Sequence, residues 1–214
     1  MKLETFSKLP LMGILRGVRP EDIVPLAETV IAAGLGTLEI TMNTAGAPDL
    51  IRRLIDCAQG RLTVGAGTVL SEQDLSAALA AGASFIVMPT LVEPVVRRCV
   101  EEGIPVFPGA LTPQEIHNAH TAGATMVKVF PANLFGPAYF KDIRGPFSDI
   151  PLMACGGVNP ETLGTFFANG ASAASFGGSI FRREWLESGD YQRVGEALRD
   201  LIGAYRTAAD TKGE

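Results

Sequence analysis

The sequence predicts a single-domain α/β protein, a (β/α)8 barrel of parallel strands surrounded by helices. Three observations lead there. Helical patterns end on glycine at Gly34, Gly82, Gly103, Gly123 and Gly170, a recurrence of about twenty residues or about twice that. Each glycine stands where a left-handed residue stops a helix, and each is followed by a β-rich run. Eight β-rich runs in all alternate with helical patterns, which argues for a parallel sheet, and connections this short favour closure into a barrel. An open doubly wound sheet is the alternative arrangement of the same elements.

The elements follow in order. "LMGIL" (11–15) is the first strand, and "PEDIVPLAETVIAA" (20–33) the helix that ends at Gly34. "TLEIT" (37–41), "RLTVGAG" (61–67), "SFIVM" (84–88) and "IPVFP" (104–108) are the next four strands. The helix "TPQEIHNAHTA" (112–122) opens on Thr-Pro, which suits an N-cap followed by a first-turn proline. "TMVKVF" (125–130), "IPLMAC" (150–155) and "ASAASF" (171–176) complete the set. No linker interrupts the period near the middle of the chain, so residues 1–207 form one domain. Residues 208–214 are expected to be a disordered tail.

Composition narrows the function classes. Hydrophobic residues make up 47% and charged residues 19%, which fits a compact globule rather than a disordered chain. The net charge of −5, with no Lys/Arg cluster, offers no footprint for nucleic acid. The start "MKLETFSKLPLMGIL" has no apolar run of the length a secretory signal needs, and nothing approaches a membrane span. Cys57, Cys99 and Cys155 are an odd, sparse set, read as reduced thiols in a cytoplasmic protein.

One strand carries an anomaly. In a barrel alternate residues face inward, so Met126, Lys128 and Phe130 share the inner face while Val127 and Val129 face the helices. By the same alternation Thr37, Glu39 and Thr41 face inward, and Leu38 and Ile40 outward. Lys128 and Glu39 are thus two ionisable groups aimed into one apolar interior. A charge placed there is costly unless it is paired, neutralised or used. The other lysines (Lys2, Lys8, Lys141 and Lys212) lie at a terminus or in polar surroundings. A structural buried ion pair is one reading, although such pairs often add little net stability. Schiff-base chemistry is the other. An amine attacks a carbonyl only when neutral, and burial favours the neutral form of lysine.

Glycines at the strand ends supply a second clue. "CGGV" (155–158) follows the seventh strand and "FGGS" (176–179) the eighth. In this barrel those two loops commonly bind phosphate through backbone N–H groups. Gly156, Gly157 and Gly178 allow close approach, and Ser179 adds a hydroxyl donor. "GAGTVL" (65–70) is not a dinucleotide fingerprint, because Leu70 replaces the third glycine, and no Walker pattern exists. The only histidines, His117 and His120, sit on a helix away from the strand ends, so no metal site is expected. Cys57 and Cys99 fall in helical patterns as packing residues. Cys155 ends a strand beside the phosphate loop and lines the pocket without reacting.

The ordered motifs "LEIT", "GAGTVL", "VMPT", "VFPG", "VKVFPA", "CGGV" and "FGGSIF" resemble the 2-keto-3-deoxy-6-phosphogluconate (KDPG) and 4-hydroxy-2-oxoglutarate (KHG) aldolase family. The likeness runs from about Leu11 to Phe181, and the lysine strand followed by Phe-Pro is its most specific part. It implies a metal-free, cofactor-free class I aldolase on a (β/α)8 barrel, a cytoplasmic homotrimer of Entner–Doudoroff carbohydrate metabolism. Its substrate would be a phosphorylated keto acid cleaved to pyruvate and glyceraldehyde 3-phosphate. Lys128 would be the Schiff-base lysine and Glu39 the general acid/base. Thr68, Pro89 and Phe130 would line the keto-acid site, with Gly156, Gly157, Gly178 and Ser179 at the phosphate. Asn43 and Cys155 stand where the gluconate branch usually has arginine and threonine. Together with the "ILRG" strand that ends at Arg16 and Gly17, they resemble the galactonate (KDPGal) branch more closely. Arg16, Asn43 and Cys155 would then contact substrate. A KHG aldolase, a phosphosugar isomerase or epimerase, and a non-catalytic phosphometabolite binder are the alternative functions.

Overall fold

Gly34, Gly82, Gly103, Gly123 and Gly170 all take positive φ, at 90°, 92°, 67°, 100° and 102°, in the computed structural model, which describes residues 1–210. Each therefore ends its helix as its sequence position predicts. From the N-terminus the chain runs α1 (Leu3–Lys8), β1 (Leu11–Leu15), α2 (Ile23–Ala33), β2 (Thr37–Thr41), α3 (Ala47–Ala58), β3 (Thr63–Gly67), α4 (Glu72–Ala80) and β4 (Ile86–Val87). It continues through α5 (Glu93–Glu101), β5 (Val106–Phe107), β6 (Gly109–Ala110), α6 (Pro113–Thr121), β7 (Val127–Val129) and α7 (Ala138–Arg144). The last elements are β8 (Leu152–Cys155), α8 (Pro160–Ala168), β9 (Ala173–Phe176), α9 (Arg183–Ser188) and α10 (Tyr191–Asp210). Thr112 caps α6 with Pro113 behind it, and Glu115 completes a capping box.

All strand pairs are parallel, in the order β5-β4-β3-β2-β1-β9-β8-β7-β6. β5 and β6 are two halves of one barrel stave. β5 pairs with β4 and β6 with β7, so the ring closes across Pro108 and the open-sheet alternative falls. The fifth expected strand (104–108) contracts to Val106–Phe107, and a second short piece, Gly109–Ala110, follows Pro108, which has no N–H to give the ladder. The carbonyl of Pro108 still accepts from the N–H of Lys128 at 2.9 Å. The fourth and sixth expected strands also contract, to Ile86–Val87 and Val127–Val129. α10 runs through Asp210, three residues into the stretch expected as a tail, while 211–214 lie outside the described residues.

The inward and outward faces separate into two apolar clusters. The outer one joins Leu38, Ile40, Val127 and Val129 to helix residues such as Leu26, Leu54, Val96 and Leu198. The inner one holds Met12, Phe85, Val87, Phe107, Met153 and Ala173, with Phe6 from α1 inserted among them. Phe107 meets Phe6 and Phe85 edge to face, at centroid distances of 6.3 and 6.0 Å. Burying one such ring contributes roughly 1.5–3 kcal/mol, so this layer stabilises the barrel interior from which the ionisable residues rise.

Candidate active site

Lys128 sits in the barrel as the alternation predicts. Its neighbours Val127 and Val129 are fully buried in the outer layer, and Lys128 itself is only 5% exposed. Its register partners are Gly109 and Met153. The ammonium lies 5.6 Å from the centroid of the Phe130 ring, which forms part of the cavity wall. Glu39 is 1% exposed, and its Oε2 has no hydrogen-bond partner among the described residues. Burial pushes the Glu39 carboxyl above the usual glutamate range, while the positive charges of Lys128 and Arg16 pull the other way. Room for this carboxyl comes from Gly67, where a methyl group would overlap Oε1. Among the described residues no salt bridge joins Glu39 to Lys128. The two share one electrostatic field without contact, which is not the geometry of a structural ion pair.

Above them opens a cavity of about 540 Å³. Ile14, Arg16, Thr68, Pro89, Phe130 and Cys155 form one part of its wall with Lys128. Thr68 takes φ 55°, a left-handed conformation rare for a β-branched residue and one that costs about 1–3 kcal/mol. Such strain at a cavity wall fits a residue held for what it contacts. Arg16 is exposed at the mouth. Asn43 does not reach the site: it is exposed in the turn after β2 and lines no part of this cavity.

The opposite wall is made of the two glycine loops. Gly156 and Gly157 take φ 105° and 70°, and a side chain on either would press against Asn133. Thr162 donates to the Gly157 carbonyl at 2.7 Å, and Asn159 caps α8, so the loop is fixed at the helix start. The N–H groups of Gly156, Gly157, Gly178 and Ser179 have no acceptor among the described residues. They are free to receive an anion. The Ser179 hydroxyl, expected as a further donor, is instead given to the Val158 carbonyl at 2.7 Å and ties the two loops together.

The cavity also contains residues that sequence reasoning missed: Val158, Ser175, Phe176, Gly177, Phe181 and Arg183. Alternation along β9 could have found Ser175, which lies opposite Cys155 in the ladder. Arg183 left no such signal, because its approach depends on the path of a turn. Elsewhere, His117 packs against the Phe147 ring at 5.9 Å, and no cluster of His, Cys, Asp and Glu suited to a metal occurs among the described residues. Among those residues no helix is long and apolar enough to cross a membrane.

The chain resembles known proteins over nearly its whole length. The family model described as KDPG and KHG aldolase matches residues 3–197. The 2-dehydro-3-deoxy-6-phosphogalactonate aldolase of Escherichia coli K12 is 34% identical over 203 residues, 94% of this chain and 97% of that protein. The 2-dehydro-3-deoxy-phosphogluconate aldolase of Pseudomonas aeruginosa is 35% identical over 185 residues, 86% of this chain and 84% of that one. A solved KDPG aldolase from Legionella pneumophila, with pyruvate captured as a covalent carbinolamine intermediate, superposes with a TM-score of 0.85 at 25% identity. That match covers 92% of this chain and 95% of the other.

Proposed function

We propose that this chain, which belongs to the KDPG and KHG aldolase family, cleaves 2-keto-3-deoxy-6-phospho-aldonates to pyruvate and glyceraldehyde 3-phosphate, with Lys128 as the imine-forming residue. The chain is a lyase, a metal-independent class I aldolase. The observation that carries the residue assignment is a lysine, the single buried one among the described residues, facing a cavity whose far wall presents four backbone N–H groups without an acceptor among those residues.

The chemistry follows from those positions. Neutral Lys128 attacks the C2 carbonyl carbon, and the carbinolamine loses water to give an iminium. A carboxyl whose proton is held by burial can donate to the departing hydroxyl and take a proton back afterwards, which is the role assigned to Glu39. The Glu39 carboxylate, acting through water, then removes the 4-hydroxyl proton. The C3–C4 bond breaks, and its electron pair moves into the iminium to leave an enamine. Glyceraldehyde 3-phosphate departs, and the enamine is protonated at C3 and hydrolysed to pyruvate. Phosphate held on Gly156, Gly157, Gly178 and Ser179 orients the reacting carbon from a distance, so remote binding energy assists the bond cleavage.

Likeness to both a galactonate and a gluconate enzyme, together with Cys155 in the wall, supports acceptance of both C4 epimers, with at most a moderate lean towards the galactonate form. Unphosphorylated 4-hydroxy-2-oxoglutarate is the second reading, favoured by the family description; the free N–H groups favour the phosphorylated compounds. The setting we assign is Entner–Doudoroff-type sugar-acid breakdown by a cytoplasmic homotrimer. Three free cysteines and the exposed Leu134 and Phe135 in the turn after β7 support that assignment. Borohydride reduction in the presence of pyruvate, read by peptide mass mapping, is the direct test: one reduced adduct is expected, on Lys128. An adduct on Lys141, or none during turnover, would reject the assignment.

A further inference from the structure

Among the described residues lining the 540 Å³ cavity, three side chains are basic, Arg16, Lys128 and Arg183, and none is acidic. Lys128 is committed to the keto carbon. The four N–H groups of the glycine loops supply partial charges only, so a phosphate dianion seated there has no full counter-charge from its own cradle. Arg183 comes two residues after the 177–181 turn that carries Gly178 and Ser179, and it lines the same cavity as Gly156 and Gly157. It also lines a neighbouring cavity of about 440 Å³, which places it on the wall between the two.

The adjacent arginine shows that this placement is selective. Arg182 lies over the Trp185 ring at 4.8 Å and stands 3.8 Å from Glu184. Arg183 is instead held by Glu187, whose Oε1 accepts from its Nε at 2.6 Å. That contact uses one edge of the guanidinium and leaves both terminal nitrogens without a partner among the described residues. An exposed pair of this kind adds little to stability. Its consequence is orientation of a planar, permanently charged fork suited to phosphate oxygens.

We infer that Arg183, oriented by Glu187, is a substrate-binding residue that closes the phosphate subsite and sets the preference for 6-phosphorylated over unphosphorylated keto acids. The inference deepens the aldolase reading given above and rests on it. The first measurement is the Kd of glycerol 3-phosphate by calorimetry, which needs no aldol chemistry. Arg183→Ala should weaken it severalfold, up to about fivefold, the scale of one largely exposed charged contact. Arg183→Lys should recover part of the loss, Glu187→Gln should show a smaller loss, and Arg182→Ala should leave the value at wild type. The second measurement is kcat/KM for the 6-phosphorylated substrate divided by that for 4-hydroxy-2-oxoglutarate. The ratio should fall by a similar factor in Arg183→Ala, mainly through KM. An unmoved Kd overturns the role of Arg183 even if the ratio falls, because the change would then lie outside phosphate binding. An equal loss in Arg182→Ala would reduce the effect to general surface charge and overturn it too. Pyruvate trapping on the same proteins reports the aldolase reading separately: wild type that forms the adduct while Kd stays constant condemns Arg183 alone.

Discussion

The two halves of the barrel interior are built by one rule and filled in opposite ways. Towards the N-terminal ends of the strands, Met12, Phe85, Phe107 and Met153 interlock around Phe6 in a layer without a charged side chain. Towards the C-terminal ends stand Lys128, Glu39, Thr41, Ser175 and Cys155, under glycine loops with unbonded N–H groups. β3 shows the contrast within a single strand. Gly65 is small because the Phe85 ring occupies the space a side chain would take; two residues on, Gly67 is small because the Glu39 carboxyl does. The lower half packs apolar side chains against one another, and the upper half holds buried polar and ionisable ones. Burial in this interior is what pushes the Glu39 carboxyl above the usual glutamate range.

The largest test of that division is Lys128→Met. Cleavage and the pyruvate adduct should both vanish, while the thermal midpoint should equal or exceed that of wild type, because a buried amine is exchanged for an apolar chain of similar length. A clear drop in Tm would mean that the upper half also carries the fold.

Next in size is Glu39→Gln, expected to slow turnover by roughly 10²–10⁴ while pyruvate still binds. Its stability should depend on pH in a defined sense. The folded pKa of Glu39 is raised, so its favourable contribution is complete below the ordinary glutamate value of about 4.3 and is lost as pH rises towards the folded value. Glu39→Gln should therefore gain Tm relative to wild type near neutrality, and that gain should shrink as pH falls towards about 4.3, below which it changes no further. A gain that does not change with pH would contradict the burial effect.

The sharpest comparison pairs the two glycines. Gly65→Ala should cost about 1–3 kcal/mol of stability by overpacking against Phe85, with kcat per folded molecule little altered. Gly67→Ala should do the reverse, displacing Glu39 and lowering kcat more than Tm. Urea unfolding and steady-state rates on both proteins would decide it, and identical profiles would erase the functional division between the halves.

The smallest effect expected is on the C4 epimer. Cys155 is buried in the cavity wall, and a thiol is a weaker hydrogen-bond donor than a hydroxyl. Cys155→Thr should shift the ratio of kcat/KM towards the gluconate epimer by up to about 1–2 kcal/mol, the scale of one net hydrogen bond. Both epimers assayed side by side give the answer; an unmoved ratio would put discrimination elsewhere.

What the sequence determined by itself was everything that depends on local periodicity. The glycine stops, the inward face of Lys128 and Glu39, and the two glycine doublets follow from 3.6- and 2-residue repeats, which neighbouring residues enforce. Tertiary structure decided what depends on the path of the chain between elements. It split the fifth stave at Pro108, drove Phe6 of α1 into the barrel floor, and left Asn43 outside the cavity. It turned the Ser179 hydroxyl towards Val158 and placed Arg183, rather than Arg182, on the cavity wall. None of these has a period, because turns and caps are set by which distant groups they meet, and that is known only once the barrel has closed.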